Sequence, residues 1–341
     1  MRHEAGTGPD RSAGAPRPSG APASAAPRRD QDAAPRGAGL PPVVAAAVVR
    51  AEDAPGPTLV VELSQLPGGA LALRDELGAL RRSLARTPYA RLNKIALYGA
   101  SARPGRDLDY RFVQALPDGG FDFRTGCGHS LLACVVASAR PGPVTVHAVT
   151  TGDDVRCAPE ADGATRTLRF LRPPDAPGTL PTGRPVDILG GLPVSLVRYG
   201  NPYAFVDAVH LGIPGAEGLF RAGDGTLRRL LALRAQAARA LGHAPHSALP
   251  KIAAFTAGPG GIAVRALTVG GWHPRLALTG AAALAAAAAL PDTVVPALDG
   301  PVRTPGAPVA VSADARGVAV HHKRATVLAR LELPWRIHAT A

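Results

Sequence analysis

The chain has 341 residues, 46% of them apolar and 4% aromatic, with a formal charge of +12. That length and apolar content suit two domains with cores of small residues, and exclude a wholly disordered chain. Three cysteines, none in a CxxC pair, exclude a disulfide framework and a thiolate zinc site. Reduced thiols imply a cytoplasmic location.

Residues 1–41 are Ala, Pro, Gly, Arg and Ser without periodicity, and read as a disordered tail or as translation annotated to begin too early. Order begins near Pro42, with strands expected over 43–49 and 58–63 and an amphipathic helix over 73–84. Strands follow from Lys94 and over 107–115, the second closed by the turn Pro117-Asp118-Gly119-Gly120. Thr125-Gly126-Cys127-Gly128-His129-Ser130 then opens an apolar helix, and strands are expected over 144–149 and 165–170. The second half reads as a strand at 194–197, a loop at 198–202, a strand at 203–209 and a helix at 227–241. Strands at 250–255 and 262–268 and the segment Trp272-His273-Pro274 precede a helix entered through Thr279-Gly280.

The two halves repeat. Asn93-Lys94-Ile95-Ala96-Leu97-Tyr98 matches Pro250-Lys251-Ile252-Ala253-Ala254-Phe255, and Thr125-Gly126 matches Thr279-Gly280, each before an Ala-rich helix. A repeat this long is a pair of related domains and not a solenoid unit. The expected division is a domain of residues 42–190, rejoined by residues 326–341, and a second domain of residues 191–325.

The base is nearly all arginine, and Lys94, Lys251 and Lys323 are the lysines of the chain. Lysine can be tuned to release its proton and arginine cannot, so Lys94 is a candidate for the site. Lys251, at the same repeat position, reads as a structural residue at a strand end. The arginines are scattered, with no basic run and no aromatic stacking platform, so nucleic acid is not an expected partner. A small anionic substrate fits the charge equally well. No signal-type segment opens the chain, and the Ala-rich run at 281–290 is too short to span a bilayer, so no membrane partner is expected either.

The cysteine loop carries the chemistry. Glycines let backbone approach a ligand, and a helix opening there directs unpaired N–H groups and a positive dipole end outward. A carboxylate would bind there, and a thiol there would ionise more readily. The plain alternative is a packed cysteine at a helix start. The second loop offers Ala277 or Ala281, depending on register, where the first has Cys127. One thiol side favours a proton shift along one face over racemisation.

Asp107-Leu108-Asp109-Tyr110-Arg111-Phe112-Val113-Gln114, Asn93-Lys94-Ile95-Ala96, Gly200-Asn201-Pro202-Tyr203-Ala204-Phe205-Val206 and Leu278-Thr279-Gly280-Ala281 resemble motifs of the PrpF family of the diaminopimelate epimerase-like superfamily, in the family's order. The resemblance implies an α+β fold of two pseudo-symmetric domains, each a curled, mostly antiparallel sheet around a central helix, with the active site between them. It implies allylic double-bond isomerisation of an unsaturated carboxylic acid without cofactor or metal, by a monomer or homodimer. The proton-handling lysine and cysteine of the family fall on Lys94 and Cys127. Gly126, Gly128, His129, Ser130, Asn201, His273, Thr279 and Gly280 fall at substrate-binding positions, and His129 is also a candidate base.

Three segments depart from the family pattern. The loop after Arg50 reads Ala51-Glu52-Asp53-Ala54-Pro55-Gly56-Pro57 where the family has R-G-G-T-S-K-G. Cys127-Gly128-His129 replaces C-G-N, and His322-Lys323-Arg324-Ala325 replaces H-P-S-G. A different substrate is therefore expected, in a specialised biosynthetic pathway such as those to 4-alkylproline units. The alternatives are a racemase or epimerase, a phenazine-pathway type of isomerase, or a non-catalytic binding protein on the same scaffold.

Overall fold

The computed structural model describes residues 43–268 and 271–336, all within one compact unit. The expected tail at residues 1–41 lies outside the described residues. The first half runs β1 (Val43–Ala51), β2 (Thr58–Glu62), α1 (Arg74–Leu84), β3 (Lys94–Ala100), β4 (Leu108–Ala115), the short β5 (Phe121–Asp122) and α2 (Gly128–Ala137). It continues through β6 (Val144–Ala148), β7 (Asp153–Pro159) and β8 (Arg166–Phe170). The period-two pattern decides what each strand buries. In β1, Ala47 and Val49 face the core around α2, while Ala46 and Val48 face the leucines of α1. α1 is amphipathic and covers one face of the sheet with Leu77, Leu80 and Leu84. α2 is apolar all round, as a helix enclosed on every side must be.

The second half repeats this plan. β9 (Asp187–Leu189), β10 (Leu192–Tyr199), β11 (Asn201–Asp207), α3 (Gly215–Phe220) and α4 (Asp224–Ala240) lead to β12 (Lys251–Gly258), β13 (Gly261–Thr268), β14 (Gly271–Trp272) and α5 (Leu278–Ala288). β10 pairs antiparallel with β11, β11 parallel with β12, and β12 antiparallel with β13. β1 to β4 pair in the same senses and the same order. Lys94 and Lys251 each open the third strand of their repeat. The five-residue loop expected at 198–202 is a tight turn instead. Tyr199 pairs with Asn201 across Gly200, whose φ of +70° is the left-handed value that glycine adopts without strain.

The remaining strands, β15 (Val311–Asp314), β16 (Gly317–Lys323) and β17 (Ala325–Pro334), tie the halves together. β17 returns to pair with β1, whereas β16 pairs with β8 and extends the same sheet outward. The result is an eleven-stranded sheet, with β17 at one edge and β15 at the other, and a six-stranded sheet of β9 to β14. Residues 311–323, expected within the second domain, thus belong to the larger sheet. α2 and α5 share one apolar core, in which the six alanines among residues 281–287 allow the flanking strands to approach closely.

Candidate active site

α2 and α5 meet at their N-terminal ends. The residue capping α2 is Cys127 and the residue capping α5 is Ala277, both in extended conformation. A Cβ on Gly128 would lie 2.5 Å from Cδ2 of Leu278, so the absence of a side chain there permits the approach. The first bonds within the helices run from Leu131 N–H to Cys127 O and from Ala281 N–H to Ala277 O. The preceding amides of both helices therefore have no partner within their own helix.

Both ends line a single cavity of about 730 Å³, its open mouth included. From the first half, Lys94, Asp122, Thr125, Gly126, Cys127, Gly128 and His129 face it. From the second half come Asn201, Tyr203, Lys251, His273, Ala277 and Thr279. Cys127 is half-buried and free, while Cys134 and Cys157 are buried. Ala277 is thus the counterpart of Cys127, which resolves the register left open between Ala277 and Ala281. A methyl group stands where a second thiol would be.

Of the ten positions singled out from sequence, eight line the cavity and two do not. Ser130 is fully buried behind it, its hydroxyl 2.9 Å from that of Thr58. Gly280 is buried outside the lining, packed against Tyr203, whose hydroxyl oxygen would lie 2.7 Å from a Cβ there. Helical rotation explains both: only residues around the cap face outward, and the next turn faces the core. Lys251, expected to be structural, lines the cavity, and Asp122 joins it unforeseen. The repeat position of Lys251 was the available signal. Asp122 had none, since a carboxylate between two phenylalanines is an ordinary strand pattern.

Asn201 fixes the cysteine loop. Its Oδ1 accepts from Gly126 N–H and its Nδ2 donates to Gly126 O, each at 2.8 Å, and Nδ2 also reaches Thr279 Oγ1 at 3.4 Å. Tyr110 donates its hydroxyl to Cys127 O at 2.9 Å. His129 is 3% exposed, and its Nε2 has no hydrogen-bond partner. Burial, then the charges of Lys94, His273 and Lys323, hold this imidazole well below its usual pKa, with Asp53 in opposition. It is neutral at neutral pH. The His273 imidazole is pushed down to about 4, chiefly by burial, and its Nδ1 accepts from Arg275 N–H at 3.1 Å. The neutral His273 ring therefore carries its proton on Nε2.

The rewritten segments of the sequence meet behind His129. Lys323, 6% exposed, donates to Asp53 Oδ2 at 2.6 Å, and Arg275 pairs with the other carboxylate oxygen. Burial pushes the Asp53 carboxyl up, but the hydrogen bond and charge of Lys323 and the charge of Arg275 bring it below the usual range. Both cations are committed to Asp53 and neither lines the cavity.

Paired repeats, each a curled sheet on a central helix with a cavity where the helices meet, define a protein of the diaminopimelate epimerase-like fold. The solved methylitaconate delta-isomerase shares it, with a TM-score of 0.63 at 21% identity over 86% of this chain and 96% of that one. A family model described as PrpF protein matches residues 153–325, just over half of the 341 residues, and the chain belongs to the PrpF family. It is 27% identical over 241 residues to "Putative isomerase YbhH" of Escherichia coli strain K12, covering 59% of this chain and 68% of the relative. It is 31% identical over 155 residues to (4E)-oxalomesaconate Delta-isomerase of Novosphingobium sp. strain KA1, covering 37% of this chain and 43% of that one. The relatives so named are isomerases, and family membership places the chain among them. No helix of the described residues is long and apolar enough to cross a membrane.

Proposed function

We propose that the protein is a cofactor-independent isomerase that moves a carbon–carbon double bond by a 1,3-proton shift on a small unsaturated carboxylic acid. The observation that carries this reading is the pair of helix caps: Cys127 from one repeat and the methyl of Ala277 from the other face the same cavity. A racemase that works with two thiols needs a sulfur on each side of its substrate. A proton shift along one face needs one.

In the proposed reaction the Cys127 thiolate takes a proton from the allylic carbon of an acid whose carboxylate is conjugated to the double bond. The C–H bond breaks and its electron pair spreads over a dienolate. The helix-end amides beside Gly128 and Thr279 stabilise the charge growing on oxygen. Lys94 holds the carboxylate, and a proton is returned to the carbon at the far end of the three-carbon unit. His129 offers a neutral Nε2 to a substrate oxygen or to the proton in transit. The substrates named for the relatives, methylitaconate and oxalomesaconate, set the chemical class: short unsaturated acids with an allylic C–H.

Proton NMR in deuterium oxide tests the proposal. Wild-type protein is expected to wash deuterium into the allylic position of such an acid, with Cys127→Ala and Lys94→Met reducing exchange at least a hundredfold. Exchange at the stereocentre of a saturated 2-substituted acid would point to a racemase instead. Binding without exchange of any proton would point to a binding protein.

A further inference from the structure

The candidate site adjoins a second chamber. Leu116, Asp122, Ala248, Lys251, Leu267 and Thr268 line both the cavity at the helix ends and a neighbouring hollow of about 1120 Å³, its open mouth included. These residues come from the β4–β5 turn and β5 in the first repeat, and from the approach to β12 and the end of β13 in the second. The two spaces meet at a rim drawn from separate segments of both repeats.

The far wall of the hollow follows from the pattern of α4. Leu230, Leu233 and Ala237 form its inner stripe and pack onto the six-stranded sheet. Leu227, Leu231 and Arg234, spaced four and three residues apart, form the next stripe and line the hollow. Leu231 is 41% exposed, and Leu116 of the rim is half-buried. The buried and half-buried charged groups there are already engaged. Asp122 accepts from the Arg124 backbone N–H at 2.8 Å and from its guanidinium at 3.2 and 3.1 Å, and Arg234 donates to the Ser247 carbonyl. His246 is exposed.

We propose that this hollow receives a hydrocarbon substituent of the substrate, so that the enzyme acts on an unsaturated acid with an alkyl or aryl group beyond its three-carbon reacting unit. This inference rests on the reading of the helix-end cavity as a carboxylic acid site. The two chambers divide the work: Lys94 and the helix-end amides hold the polar head, and leucines from both repeats take the tail. An acid confined to the first cavity leaves Leu116 and Leu231 in water. A tail that covers them gains about threefold or more in affinity for each methylene buried.

Isothermal titration calorimetry with butanoate, hexanoate and octanoate tests the proposal without turnover, since these probes carry head and tail but no double bond. Affinity is expected to rise about tenfold for each added pair of methylenes. Leu231→Asp, which charges the hollow, and Leu231→Trp, which fills it, are each expected to flatten the series. Leu328→Asp changes an exposed leucine of β17 away from both chambers and is expected to leave the series steep. Thermal melts verify that each variant is folded. A flat series in wild type, a slope that survives in the folded Leu231 variants, or one lost equally in Leu328→Asp overturns the proposal. Lys94→Met is expected to weaken all three acids alike. A slope that depends on Leu231 but affinities indifferent to Lys94 would support the hollow and count against Lys94 as the holder of the carboxylate. Because binding is measured without isomerisation, a protein that exchanges no substrate protons still passes or fails this test.

Discussion

Asn201 and Gly126 exchange two hydrogen bonds of 2.8 Å across the two repeats, side-chain amide to backbone amide in both directions. The pair stitches the first residue of β11 to the loop that carries Cys127, so the position of the thiol is set by the other half of the chain.

Replacing Asn201 by leucine removes both partners of the half-buried Gly126 peptide groups while keeping the volume. The expected loss is roughly 1–2 kcal/mol, the net worth of two hydrogen bonds to half-buried backbone groups. Urea denaturation measures it. A variant as stable as wild type would show that the pair contributes nothing net.

Gly128→Ala sets a methyl against Leu278, within 2.5 Å of Cδ2 and 2.9 Å of Cβ. Two helix ends cannot both yield, and overpacking of this kind costs about 1–3 kcal/mol. Leu278→Ala alone opens space and destabilises through a cavity. The double variant should be more stable than the sum of the two single losses predicts. Strict additivity of the three unfolding free energies would refute the contact.

The Asp53–Lys323–Arg275 cluster gives a charge test. Asp53→Asn strands the buried Lys323 ammonium, at an expected cost of about 3 kcal/mol. Adding Lys323→Met removes the stranded charge and should recover most of the loss. If the double variant is no better than the single one, the ion pair is not what Asp53 contributes.

His273 predicts a slope of stability with pH. Its folded pKa, pushed down to about 4, lies below the ordinary 6.5 of the unfolded chain. Between those values the unfolded chain binds a proton that the folded chain refuses, so stability falls as pH falls. The contribution is complete above about 6.5 and is lost by about 4, on the order of 3 kcal/mol in all. His273→Gln should flatten that part of the curve, read as denaturation midpoints at pH 7 and pH 4.5. An unchanged slope in the variant would assign it to other groups.

Much of this was legible in the chain. Local alternation and the 3.6-residue period determined where β1 to β4 and α1 fall, because each pattern constrains its own backbone. The repeat of the lysine strands revealed pseudo-symmetry, since both halves must bury the same faces, whereas the Thr-Gly match was four residues out of register: with cap Cys127 matching cap Ala277, Thr279 corresponds to His129 and not to Thr125. The cysteine loop stood out because glycines and an apolar helix mark a helix end facing a cleft.

Sequence by itself thus determined the two-repeat plan, the family and the single-thiol character of the site. Tertiary structure decided that Ala277 and not Ala281 opposes Cys127, that Ser130 and Gly280 turn inward, and that Lys251 and Asp122 belong to the cavity. It also decided that Asp53 binds Lys323, 270 residues away in the chain. Those facts depend on helical rotation and on contacts between segments far apart in sequence. Local propensity carries no information about such contacts, because packing alone chooses which distant side chains share a wall.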